Sequence, residues 1–118
     1  MPFTKILKDL VENTPQAIGA IVVDWEGEAV QEFCRCDPYQ VRFIAAHQEI
    51  ILKRLRLLHE QVGTGETESV SISTSTHQLV IGPINEEYFL ALQVDRNPAT
   101  ALAMHNFQTA VAALKREF

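Results

Sequence analysis

Apolar and polar residues recur with two different periods along the chain, and the changes of period mark out eight elements. Phe3, Ile6, Leu7, Leu10 and Val11 follow helical spacing, with Lys5, Lys8, Asp9 and Glu12 on the other side. Asn13-Thr14-Pro15 ends this first helix, because proline cannot continue it. Ala17–Asp24 is apolar on both faces, the pattern of an interior strand. Asp24-Trp25-Glu26-Gly27 reads as a tight turn in which Gly27 is free to take φ > 0. Residues 28–33 form a second, more polar strand, expected to pair with the first as a hairpin.

A long helical pattern over 37–63 follows, and the rest of the chain is organised around it. Asp37-Pro38 is a start signal: Asp caps the first N–H groups, and Pro is tolerated at the first helical position. Gly63 is the stop. At about 100° per residue, Val41, Ile44, Gln48, Ile51, Leu52, Leu55, Leu58 and Val62 form one broad stripe, enough to cover a sheet. Phe43, Ala46, Ile50 and Leu57 form a second patch about a third of a turn away. Arg42, Glu49, Lys53, Arg56 and Glu60 are expected on a solvated arc. Two apolar faces are one more than a surface helix of a small domain needs, and monomers rarely expose such a patch. Either another helix of the same chain covers it or a second chain does. Two-fold self-association is the preferred expectation, because symmetric dimers dominate among oligomers.

The remaining elements are three strands and a helix. Residues 67–76 alternate, with Val70 and Ile72 on one face and Ser69, Ser71, Ser73 and Ser75 on the other. The lack of bulky residues on both faces predicts an edge strand, and no Lys, Arg or Pro protects that edge from pairing with another chain. Residues 78–84 and Tyr88–Asp95 are two further strands, joined by Asn85-Glu86-Glu87. Asn97-Pro98 repeats the cap-then-proline signal, and a last helix carries Ala103, Phe107, Val111, Leu114 and Phe118 on one face.

With 118 residues the chain is long enough for one domain with a real core, spanning 1–118, and too short for two. A net charge of −5 argues against nucleic acid, whose phosphates need a basic excess. No apolar run is long enough to span a bilayer, and the N-terminus lacks the apolar core of a signal peptide, so no membrane partner and a cytoplasmic location are expected. Cys34 and Cys36 are too close for an ordinary bridge, which fits a reducing compartment.

The order helix, two strands, long helix, three strands, helix resembles the roadblock/dynein light-chain family. The matching features are the apolar strand ending in Asp24-Trp25-Glu26-Gly27, the long helix after Cys36-Asp37-Pro38, the Ser-alternating third strand, the last two strands and the Ala-rich closing helix. The resemblance implies an α+β fold, with a single five-stranded antiparallel sheet, the long helix on one face and the two terminal helices on the other. It also implies a homodimer made by pairing third strands and packing long helices. Stand-alone prokaryotic members look like regulators or scaffolds of small Ras-like GTPases, some of which accelerate GTP hydrolysis without supplying an arginine finger.

Chemistry-bearing residues are few. Cys34-x-Cys36 lacks the further ligands of a zinc site, so no metal is expected. His47, His59, His77 and His105 fall in no nucleophile motif; His59 sits at the rim of the sheet-facing stripe. Glu86 and Glu87 share a turn, and there is no Gly-rich phosphate loop. No cofactor and no catalysis are therefore expected. Trp25 can fold back over the sheet or anchor a partner. In the family reading Arg42, Lys53 and Arg56 lie near the groove where a GTPase docks. The expectation is a non-catalytic homodimeric regulator of a small Ras-like GTPase. Phe43, Ala46, Ile50, Leu57, Ser69, Ser71 and Ser73 are its expected dimer interface, and Trp25, Arg42, Lys53 and Arg56 its expected partner site. A small-ligand sensory domain and a structural subunit of a larger complex are the rival readings.

Overall fold

In a computed structural model, which describes residues 2–35, 37–95 and 100–118, the eight expected elements appear in the expected order. They are α1 (Pro2–Asn13), β1 (Ala17–Asp24), β2 (Ala29–Cys34), α2 (Pro38–Val62), β3 (Val70–Ser73), β4 (His77–Pro83), β5 (Tyr88–Asp95) and α3 (Thr100–Glu117). The strands form one antiparallel sheet in the order β2-β1-β5-β4-β3. The fully apolar patterns of β1 and β5 take interior places, and the two more polar strands take the edges.

Period-two alternation sends the strand residues to two cores. On one face Ala20, Val22, Val80, Leu90, Leu92 and Val94 pack under α1 and α3, whose Leu7, Val11, Phe107 and Leu114 are fully buried. On the other, Ile21, Val23, Ile81, Phe89 and Ala91 pack under α2. Phe118, at the end of the apolar face of α3, stacks on Phe3 and Tyr88 with ring centroids 4.7 and 4.5 Å away. The Asn97-Pro98 signal lies outside the described residues.

The caps of α2 are as the sequence dictates. The Asp37 carboxylate accepts from the Tyr39 N–H at 3.0 Å, and Gly63 takes a left-handed conformation and donates its N–H to the His59 carbonyl. The Asp24 carboxylate accepts from the N–H groups of Glu26 and Glu28, which closes the β1–β2 turn with Gly27 at φ 86.

The third strand is shorter than the 67–76 alternation predicts. Before it, the Glu68 carbonyl passes so close to Gly82 that a Cβ there would lie 2.6 Å away, so the chain crosses β4 instead of running beside it. After it, the Thr74 hydroxyl accepts from the N–H groups of Thr76 and His77 and turns the chain into β4. A backbone crossing thus ends the ladder on one side and local side-chain hydrogen bonding on the other, while the alternation itself runs on.

Candidate interaction surface

The long helix meets the sheet through Val41, Ala45, Glu49 and Leu52. Two expectations change here. Glu49 is buried instead of solvated, with Lys53 Nζ 2.5 Å from its Oε1. Ile51, Leu58 and Val62, expected to face the sheet, are exposed. Both follow from the β1–β2 turn. Gly27 lies under Ala46 and Glu49, leaving about 3.5 Å between its would-be Cβ and Ala46. With that flank of the helix covered by the hairpin, the opposite flank is turned up toward β3.

Three strips therefore run along α2. The hairpin-side flank is satisfied within the chain. Arg42 forms a two-pronged ion pair with Glu32 of β2, whose hydrogen bond and charge raise the guanidinium pKa above its ordinary value. The Arg56 guanidinium lies 4.2 Å from the centre of the Trp25 ring, which itself packs at 5.3 Å on Phe89. All four residues expected at a partner site are thus engaged internally, and Trp25 folds back over the sheet.

The crest of the helix is apolar and open. Phe43, Ile50 and Leu57 are 54%, 51% and 59% exposed, with Tyr39 beside them. Among the described residues no other helix covers them, because α1 and α3 pack on the other side of the sheet. Ala46, expected to belong with them, is instead half-buried against Gly27. The third strip is the β3-side flank: Ile44, Gln48 and Leu55 are half-buried, and Ile51, Leu58 and Val62 are exposed. The sequence merged this flank with the sheet-facing stripe, because an apolar arc alone does not say how far round the helix the sheet reaches.

β3 completes the surface. The Thr74 N–H donates to the His77 carbonyl, so by alternation Ile72 and Val70 bond toward β4 while Ser71 and Ser73 turn their backbone groups to the free edge, with Ser69 just before them. Ser71 Oγ accepts from Gln78 Nε2 on the α1/α3 face, so Val70 and Ile72 are left on the α2 face, half-buried and next to the open flank.

The other candidates carry little chemistry. His47 Nδ1 donates to the Phe43 carbonyl at 2.8 Å, and its ring tilts onto Phe43. His59, half-buried as expected, bonds Thr64, and His77 faces Asp95 at 3.3 Å. Glu86 and Glu87 are exposed in a turn capped by the Asn85 side chain. Cys34 packs half-buried beside the α2 core, and Cys36 lies outside the described residues. Among the described residues no group of three or more His, Cys, Asp or Glu is placed to hold a metal ion, and no helix is long and apolar enough to cross a membrane. A cavity of about 10 Å³ lies between α2 and the sheet, lined by Gln48 and Gln93 among apolar side chains. A metabolite site needs roughly 300 Å³ or more; a concavity of about 310 Å³ lies along Ala29, Val30, Gln31, Glu32 and Arg42, and it is open to solvent.

No family model matches the sequence, and no curated protein is detectably similar to it in sequence. Solved structures are similar to it in three dimensions. Myxococcus xanthus MglB superposes with a TM-score of 0.87 at 14% identity, over 98% of this chain and 94% of that one. A structure described as MglB with tetrameric arrangement gives 0.85 at 16%, over 97% and 85%. A Roadblock/LC7 domain from Streptomyces avermitilis gives 0.83 at 17%, over 97% and 95%. The chain has the Roadblock/LC7 fold.

Proposed function

We propose that the protein is a non-catalytic, cytoplasmic homodimeric regulator or scaffold that binds a small Ras-like GTPase. The observation that carries the dimer is the continuity of three unfilled features: the free β3 edge, the half-buried Val70 and Ile72, and the exposed apolar flank of α2. Pairing about Ser71 sets Val70 of one copy opposite Ile72 of the other and joins two sheets into one. It covers a hydrophobic flank that a monomer leaves in water, worth roughly 1.5–3 kcal/mol per fully buried side chain. The crest residues Phe43, Ile50 and Leu57 border this contact, so two crests form one apolar platform.

The GTPase part is supported by the Roadblock/LC7 fold together with the family resemblance, since fold by itself does not fix function. Light scattering over a dilution series tests the dimer. Purified Ras-like GTPases of the source genome, loaded with GDP or a non-hydrolysable GTP analogue, test the partner. Nucleotide-dependent binding is expected, and a hydrolysis assay then separates activator from scaffold. Binding to none of them in either state overturns the GTPase reading and leaves a structural subunit of a larger assembly as the function.

A further inference from the structure

The β3-side flank of α2 contains one polar residue. Ile44, Gln48, Ile51, Leu55, Leu58 and Val62 succeed one another at alternating spacings of four and three, the repeat of a helix packed lengthwise against another helix. Gln48 is the exception to its apolar character. Its Oε1 is buried and has no hydrogen-bond partner among the described residues, and the same is true of Oε1 of Gln93 on β5, a residue 4% exposed. Both line the small cavity between α2 and the sheet. Two acceptors cannot satisfy each other, so the satisfied arrangement has the Gln48 amide turned half round, with Nε2 in the cavity donating to Gln93 Oε1 and Gln48 Oε1 facing outward.

The register of the sheet says where along the free edge Gln48 stands. The cavity is lined by Leu79 and Gln93, which pair across β4 and β5, and by Ile81 and Ala91, the next pair on that face. Leu79 pairs in turn with Ile72, and Ile81 with Val70. These two rows flank Ser71, so Gln48 stands level with the centre of the free edge.

We propose that Gln48 fixes the register of the two-fold contact: in a pair formed about Ser71 the two Gln48 amides meet across the axis. Each Nε2 donates one N–H to Oε1 of the other copy's Gln48 and the second N–H to Gln93 of its own chain. The inference rests on the self-association proposed above. The occupant of the flank is a second copy for two reasons. An amide holds both donor and acceptor and so complements itself across a two-fold axis, and no other residue of the strip has a side-chain donor. A shifted register sets both amides against Ile or Leu, so one polar residue in an apolar seam penalises every wrong alignment.

Cysteine trapping in the full chain tests this. Under mild oxidation Gln48→Cys is expected to give a covalent dimer as the main species, well above the background of the wild type with its native cysteines, while Leu57→Cys is not. Gln48→Leu is expected to keep a cooperative melt, yet the yield of cross-linked Ser71→Cys relative to Ser73→Cys falls by about tenfold as registers mix. A wild-type dimer in which Leu55→Cys cross-links and Gln48→Cys does not overturns the proposal. So does a Ser71-to-Ser73 ratio unchanged by Gln48→Leu. A wild type that stays monomeric at every concentration overturns the self-association itself, and the role of Gln48 with it.

Discussion

The two faces of the sheet are closed to different degrees. Under α1 and α3 the apolar residues of strands and helices find each other, with Phe107, Leu7 and Leu114 no more than 1% exposed. On the other face a single helix serves a five-stranded sheet; it buries Val41, Ala45 and Leu52 and leaves Ile51, Leu58 and Val62 in water. The difference is one of supply: two amphipathic helices match one face, whereas one helix with more apolar surface than it can bury leaves the other face unfinished along β3. An unfinished face in an otherwise well-packed domain is where association gains most, since its apolar surface is already paid for in foldedness.

The contrast can be broken from either side. Phe107→Ala in the closed face is expected to destabilise the fold by about 3–5 kcal/mol, read by urea unfolding, because it opens a cavity among fully buried neighbours. Leu58→Glu on the open flank is expected to leave the unfolding of the domain nearly unchanged while dissociating the proposed dimer. An unpaired charge buried in the contact costs about 3 kcal/mol or more, so light scattering is expected to show monomer at concentrations where the wild type is expected to pair. Ile50→Glu on the crest is expected to weaken the dimer less than Leu58→Glu does; equal loss would move the contact from the flank to the crest.

Smaller effects probe what holds α2 in place. Asp37→Ala removes the cap and is expected to cost about 1 kcal/mol in thermal or urea unfolding. Arg56→Ala uncovers Trp25 and is expected to cost about 0.5–1 kcal/mol, with a red shift of the tryptophan emission as water reaches the ring. An unshifted spectrum would mean that Trp25 is shielded by Phe89 alone.

Much of this was legible in the residues. Helix limits could be read from Asp37-Pro38 and Gly63 because caps act within one turn of chain. The edge position of β3 was readable from its serines, since a strand flanked on both sides needs apolar residues on both faces. Phe43, Ile50 and Leu57 were recognisable as surplus because the helix had more apolar arc than one sheet can take. Glu49 and Ala46 sit differently from their expected places for a common reason. Both lie against Gly27 of the β1–β2 hairpin, which is far from them in sequence.

What the sequence determined by itself was therefore everything governed by local chemistry: the element order, the caps, the Asp24–Gly27 turn, the two periodicities and the existence of an apolar excess on α2. What only the tertiary structure decided was the rotation of α2 about its axis. Helical spacing fixes the angles between side chains but not the angle between the helix and the sheet beneath it. That angle was set by Gly27 tucking under Ala46 and by Arg42 and Arg56 reaching Glu32 and Trp25. These contacts turned Ile51, Leu58 and Val62 outward beside β3 and left Gln48 at the level of Ser71, because a packed side chain on one flank of a rigid helix dictates what the opposite flank presents.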